Sequence, residues 1–256
     1  MHLQDVLRGA RIARRRRNDN EEKKTILRVL FYVAGLLALA LGIILNTKSG
    51  LGVSPIISVS YSISTILDIN FGNMTFVLYC VFVVIEMVLH MIRYTRMAKQ
   101  NTDALAPAIH KSVYLVLLMD LLQLPLSLVF TRFMNLFSAW IPAPTDNLAA
   151  QFVCLFFGIT FTGIGAAMSL DMRIIPNPGD GIVQAIADCI HKPVGFTKNC
   201  FDLLNITITI SVSLIFAHKL IGVGIGTVVS VLGVGRVIAL FNHLFLKRMV
   251  AAAGVE

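Results

Sequence analysis

Long apolar runs alternate with short polar breaks along this chain. Each long run has about 20 residues, enough for a helix to cross the roughly 30 Å hydrocarbon core of a bilayer. The pattern predicts six membrane spans, at residues 26–45, 73–92, 112–133, 148–170, 197–216 and 224–245. Two further apolar segments, 56–67 and 182–190, are too short to cross as untilted helices. Each is predicted to be a short helix that follows a polar break, the first at residues 46–55 and the second at residues 171–181.

The two short segments occupy matching places in the two halves of the chain. Glycines and prolines coincide at one ungapped offset of 123 residues: Gly35 with Gly158, Gly42 with Gly165, Pro55 with Pro178, and Gly72 with Gly195. A few isoleucines also match at this offset, but isoleucine is common in apolar sequence. The glycine and proline matches carry more weight, because these residues set breaks in the backbone. Interrupted apolar segments in corresponding positions of two halves point to a binding site in a membrane protein built from repeats.

Basic residues predict the orientation in the membrane. They are concentrated in residues 1–25, in the loop 93–111 and at 247–248. The positive-inside rule places such clusters in the cytoplasm, and all three lie there if segment 56–67 does not cross. Six spans with both termini inside result, and three spans per half make the second half inverted. Eight spans, with both short helices crossing at a tilt, are the alternative.

The predicted fold class is therefore an all-α polytopic membrane protein of about six transmembrane helices. These form two inverted three-helix repeats, each with a short broken or re-entrant helix. The predicted organisation is a basic cytoplasmic segment at 1–25, a first membrane repeat at 26–133, an extracytoplasmic loop at 134–147, a second membrane repeat at 148–246, and a cytoplasmic tail at 247–256.

Composition agrees with a membrane protein and narrows the function. The chain is 56% hydrophobic and 14% charged, against roughly 25% charged residues in soluble domains. The net charge of +8 comes from clusters beside spans, so the expected partner is the lipid bilayer and not nucleic acid.

Catalytic and dinucleotide motifs are absent, so neither an enzyme nor a cofactor is expected. No metal site is expected from the four cysteines, and His90 is expected at a solvated span end.

The two breaks are the predicted binding site. Each proline is expected to open a short helix, with the preceding Ser54 or Asn177 as its N-cap. Helix N-termini attract anions, so the candidate substrate-binding residues are Ser54, Pro55, Asn177, Pro178, Gly179 and Asp180. Capping alone and direct ligand contact are compatible interpretations. Broken backbone at membrane depth needs protein or a watery cavity around it, so the two breaks are expected to share one.

Polar and ionisable residues inside the predicted spans are functional candidates, since such groups are costly in a membrane. They are Glu86, Asp120, Gln123, Asp202 and Arg236. Asp120 is the natural counter-charge for Arg236, either as a pair that fixes packing or as a functional pair. Glu86 and Asp202 either act in coupling or reach the headgroup region.

The ordered motifs resemble the YczE/YyaS/YitT-type family of bacterial integral membrane proteins. The resemblance covers residues 30–245, from GLGVSP through NPGDGIVQ to GVGIGTVVSVLGVG. The chain departs from the family at Ile56-Ile57, where the family often has Trp-Asp, and at Gly179, where it often has Arg. The resemblance implies a bacterial plasma-membrane protein and supplies no settled molecular function.

The expected function is a small-solute permease. The two breaks would hold a small polar or anionic solute, and Asp120 or Glu86 would couple protons. The alternative is a non-transporting accessory protein that supports production, maturation or export of another molecule, with the basic segment 1–25 docking a partner. A homo-oligomer is compatible with the sequence, which does not indicate the substrate, the coupling ion or the number of subunits.

Overall fold

The computed structural model describes residues 2–100, 106–144 and 147–255, and the side chains of residues 20–97, 113–144 and 147–255. Within these ranges the chain forms helices and no strands. The helices are α1 (His2–Lys48), α2 (Pro55–Ile66), α3 (Phe71–Gln100), α4 (Ala106–Trp140), α5 (Leu148–Asp171), α6 (Pro178–Ile190), α7 (Val194–Ala217), α8 (Ile225–Phe241), a π-helical turn (Asn242–Leu246) and α9 (Lys247–Ala253).

The described helices include six that are long and apolar enough to cross a bilayer. They are Asn20–Lys48, Phe71–Met97, Val113–Trp140, Leu148–Asp171, Val194–Ala217 and Ile225–Ala253. The helices α2 and α6 have only 12 and 13 residues, about 20 Å at 1.5 Å per residue. The prediction of an all-α polytopic membrane protein with six spans and two short helices is confirmed.

Four of the repeat glycines form the contact between α1 and α5, which run antiparallel. Small residues let helix backbones approach closely, and a Cβ at any of these glycines would collide with the opposite helix. The facing pairs are Gly35 with Ser169, Gly42 with Thr162, Gly158 with Asn46, and Gly165 with Leu39. Shifting each residue by the repeat offset converts the first pair into the third and the second into the fourth. The two halves are therefore related by a pseudo-two-fold axis, as expected for inverted repeats.

The other helix contacts obey the same symmetry. The helix α2 packs on α7 while α6 packs on α3, and α1 packs on α4 while α5 packs on α8. Ser58 in α2 hydrogen-bonds Thr209 in α7 at 2.7 Å. The equivalent contact in the other half is Gly181 of α6 against the carboxylate of Glu86 in α3.

One contact breaks the symmetry. The helix α3 packs closely on α4, whereas α7 and α8 do not form the equivalent packed pair. The equivalent glycines Gly72 and Gly195 show the difference. A Cβ at Gly72 would collide with Asn135 of α4, while Gly195 has open space around it. The first half is thus closed between α3 and α4, and the second half is open at the corresponding place.

Two helices extend past the predicted spans. The helix α4 continues through the first half of the predicted loop 134–147 and ends at Trp140, with Pro125 inside it. The predicted tail 247–256 continues the last span as α9, which packs on α1. Apolar contacts explain why the helix continues into the tail, because Met249 and Ala253 of α9 are buried in the core.

Candidate functional site

The two breaks meet in the interior. Pro55 and Pro178 each occupy the first turn of their short helix, and the preceding Ser54 and Asn177 share an extended conformation. Both helix N-termini border one cavity of about 50 Å³, room for a few water molecules. The break residues in its wall are Ser54, Ile56, Asn177, Gly179 and Asp180. The shared cavity expected from the repeat is therefore present.

The two break residues differ as helix caps. The side chain of Asn177 accepts a hydrogen bond of 3.1 Å from the backbone N–H of Gly179, as predicted. Ser54 makes no side-chain capping bond, so that prediction is wrong. Both N-cap residues precede a proline without an N–H, so the side chain must reach the N–H of a later residue. The serine side chain is one atom shorter than that of asparagine. The Ser54 hydroxyl therefore remains in the cavity wall.

Three other helices add polar groups to this cavity: Tyr79 from α3, Thr162 from α5 and Lys198 from α7. Thr162 is only 6% exposed, and its hydroxyl has no hydrogen-bond partner in the described part of the chain. Tyr79 lies beside Asn177 and in electrostatic contact with Asp180. The cavity wall therefore includes one buried hydroxyl, that of Thr162, for which the described part of the chain offers no hydrogen-bond partner.

Lys198 links two carboxylates at the edge of the cavity. Its ammonium lies 3.6 Å from the carboxylate of Asp202, one turn later on α7, and in electrostatic contact with Asp180 of α6. Asp202 is buried and is thus not a headgroup-facing residue. The site combines one cation, two acids and two helix N-termini.

Ile56 and Gly179, the two departures from the resembling family, contact each other. A Cβ at position 179 would lie 2.9 Å from Cδ1 of Ile56. The isoleucine thus occupies the space that a side chain at position 179 would need.

Backbone groups in the second break are satisfied from α1. The Arg28 side chain donates to the carbonyl oxygens of Met172 and Arg173 at 2.8 and 2.9 Å, and the Tyr32 hydroxyl donates to Ile175 at 2.8 Å. Unpaired carbonyls at membrane depth are costly. Arg28 and Tyr32 were not indicated by the sequence pattern, because both read as ordinary span-edge residues.

Backbone groups in the first break pair with the loop before α8. The N–H of Val53 donates to the carbonyl of Gly222 at 2.9 Å, and the N–H of Gly226 donates to the carbonyl of Leu51 at 2.7 Å. Gly222 has a φ of +79°, a conformation that favours glycine. The glycine-rich loop therefore holds the first break in place.

A second, larger cavity of about 330 Å³ adjoins the first. Asp180 and Lys198 line both cavities. The far wall of the larger one carries Glu86 and His90 from α3 and Asp120 from α4. Two polar regions of the protein are thus connected through Asp180 and Lys198.

Hydrogen bonds within this cluster join α3 to α4. Nδ1 of His90 lies 2.8 Å from Oδ2 of Asp120, and Nε2 of Gln123 donates to Oε1 of Glu86 at 3.0 Å. Glu86, Asp120 and Gln123 are 2%, 3% and 1% exposed. Glu86 therefore faces the interior and not the headgroups. The structure brings together three of the predicted intramembrane residues.

The predicted pair of Asp120 with Arg236 is wrong. Asp120 is bonded to His90, and Arg236 is exposed on α8 with no ion pair in the described part of the chain. The helices α4 and α8 lie on opposite sides of the pseudo-two-fold axis, each packed on its own long helix. His90 is in turn part-buried, not at a solvated span end. Its spacing of four residues from Glu86 was the available signal, because such residues share a helix face.

Comparisons with known proteins place the chain in a family. No curated protein and no solved structure matches it. A family model described as a family of unknown function matches residues 26–243, which include both halves and both breaks. The resemblance to YczE/YyaS/YitT-type proteins stays a prediction. The chain belongs to the family of unknown function DUF6198.

Proposed function

We propose that this protein is a permease for a small polar or anionic solute, which binds where the N-termini of α2 and α6 meet. The observation that carries the proposal is the single cavity that both breaks border. Binding sites at the interface of inverted repeats, built from broken helices, are typical of secondary transporters.

The groups around the cavity suit such a solute. The two helix N-termini favour negative charge. Lys198 offsets part of the negative charge of Asp180 and Asp202 beside it, while the hydroxyls of Ser54 and Thr162 serve a polar group. Asp180 supplies an acceptor beside them. The small volume admits only a few non-hydrogen atoms, so the proposed solute is small.

The asymmetry between the halves supports alternating access. The pair α3–α4 is packed while α7–α8 is not, so the two repeats have different conformations. Exchange of these conformations between the halves would close the second half and open the first. The bonds from His90 to Asp120 and from Gln123 to Glu86 hold the closed pair together. Protonation of these carboxylates is the proposed coupling step.

Thiol accessibility tests alternating access without knowledge of the solute. Single cysteines replace Ser54 or Thr162 in a background that lacks Cys80, Cys154, Cys189 and Cys200. Proteoliposomes with one uniform orientation are treated with a membrane-impermeant maleimide, added outside or trapped inside. The proposal requires both positions to react from both sides. Reaction from one side only, or from neither, contradicts a permease.

Uptake measurements then test the chemistry. Solid-supported membrane currents are recorded with a panel of amino acids, short carboxylates and phosphate. A solute that gives saturable current with the wild type should give none with Lys198→Met. The matched control is Lys219→Met, which removes an exposed lysine outside the cavity. Equal currents from the two variants would mean that the solute does not bind beside Lys198.

A further inference from the structure

The cluster between α3 and α4 has the geometry of a metal site. One ligand atom from each of Glu86, His90 and Asp120 lies within 4.8 Å of the others. Around a metal held at about 2.0–2.2 Å, ligand atoms lie about 3–4 Å apart. Small side-chain movements would therefore place these three atoms around one ion. Gln123 donates its amide nitrogen to Glu86, and a half-turn of the amide group would present its oxygen to the same place.

The charge of the cluster favours a cation. The carboxyl groups of Glu86 and Asp120 are both buried and interact with each other. Two carboxylates that share a buried site repel each other, and burying them without compensation is costly. The nearby cations have other partners, since Arg93 pairs with Asp188 and Lys198 pairs with Asp202. A divalent cation would neutralise both carboxylates at once.

Two unsatisfied oxygens point to the same ligand. Oε2 of Glu86 and Oε1 of Gln123 are buried and have no hydrogen-bond partner in the described part of the chain. Buried polar atoms without a partner are rare and need an explanation. Both are oxygens of the kind that coordinate metal ions. With the imidazole of His90, they give a mixed nitrogen and oxygen set, which suits first-row divalent cations such as Mn²⁺.

The surroundings leave room for an ion and a route to it. Glu86, His90 and Asp120 line the larger cavity. Gly181 of α6 lies against Glu86, and a Cβ there would come within 2.7 Å of Oε2. We propose that Glu86, His90, Asp120 and Gln123 bind a first-row divalent cation between α3 and α4. This site is distinct from the solute cavity, and it uses the carboxylates of the proposed coupling step, for which a proton and the cation would compete. Metal binding in micelles requires no transport.

Electron paramagnetic resonance tests the proposal with Mn²⁺ alone. Free aqueous Mn²⁺ gives a sharp signal that is lost on binding to protein. The full-length, tag-free protein in uncharged detergent is titrated, and one saturable site per chain is expected. His90→Gln and Glu86→Gln should each weaken binding at least about tenfold, since even outer partners of metal ligands are worth 10–100-fold. His218→Gln, at an exposed loop position, should bind as the wild type does.

The outcomes are separated from misfolding by a second measurement. Each variant is first required to be monodisperse and to unfold within a few degrees of the wild type. If Glu86→Gln fails this requirement, His90→Gln alone decides, because its ring lies at the edge of the cluster. Wild-type protein that binds no Mn²⁺ at millimolar concentration overturns the proposal. Equal binding by His90→Gln and the wild type overturns it as well.

Discussion

Gly42 in α1 lies directly against the backbone nitrogen of Thr162 in α5, and a Cβ at position 42 would overlap that atom. The same contact recurs one repeat later, where Gly165 faces the backbone of Leu39. Backbone atoms cannot move aside as a flexible side chain can. The seam between the two halves therefore depends on the absence of side chains at these positions.

Overpacking usually costs about 1–3 kcal/mol, and the better helix propensity of alanine offsets about 1 kcal/mol of it. Gly42→Ala is therefore expected to lower the free energy of unfolding by up to about 2 kcal/mol. Thermal or denaturant unfolding in micelles measures it. Gly235→Ala is the control, because Gly235 also lies in a long apolar helix, α8, and a Cβ there meets open space. A Gly42→Ala protein as stable as Gly235→Ala would contradict the tight seam.

Thr209→Val tests the hydroxyl pair that joins α2 to α7. Thr209 is buried, and its hydroxyl is hydrogen-bonded to that of Ser58 across the two helices. Valine has no hydroxyl, so the substitution removes this hydrogen bond between α2 and α7. The expected cost is about 0.5–1.5 kcal/mol. Thr207→Val is the matched control: Thr207 is exposed and bonds only the carbonyl of Leu203 in its own helix. Equal unfolding free energies for the two variants would mean that the pair contributes nothing.

Asn177→Ala and Ser54→Ala separate capping from ligand contact. Asn177 caps α6, so its removal is expected to cost about 1 kcal/mol of stability. Ser54 makes no capping bond, so Ser54→Ala should leave the unfolding free energy unchanged while weakening solute uptake. The measurements are unfolding in micelles and uptake in proteoliposomes. A clear loss of stability in Ser54→Ala would show that the serine has a structural role.

Arg236→Leu tests the position of that arginine. A buried ion pair broken by removing one partner costs about 3–5 kcal/mol. Because Arg236 is exposed and Asp120 is bonded to His90, no such loss is expected. Removing a charge from a span is itself favourable by about 2.5–3.5 kcal/mol on insertion scales. The free energy of unfolding of Arg236→Leu should therefore stay equal or rise. A decrease of about 3 kcal/mol would instead support the predicted ion pair with Asp120.

The sequence predicted the backbone framework well. Pro55 and Pro178 open the short helices, and Gly42 and Gly165 mark the close contact between long helices. These residues act through their own backbone, because proline lacks an N–H and glycine lacks a Cβ. Their effect is therefore readable without knowing which helix lies next to which.

Side-chain pairing was predicted less well. Asp120 and Arg236 are comparable in position along the chain, but a pair also requires neighbouring helices turned toward each other. The spans are apolar on all sides, so hydrophobic periodicity does not show which face is inside. The pairing of His90 with Asp120 depends on the packing of α3 on α4. Only the spacing of Glu86 and His90 along one helix was visible in advance.

The antiparallel seam of α1 and α5 has a consequence for how the protein is made. Each half supplies the glycines that the other half packs against, so the chain is in geometric terms an antiparallel dimer of two unlike subunits joined by a linker. The halves can meet only if the membrane-insertion machinery delivers them upside down relative to each other. An added span between them would leave two correctly helical halves that cannot assemble.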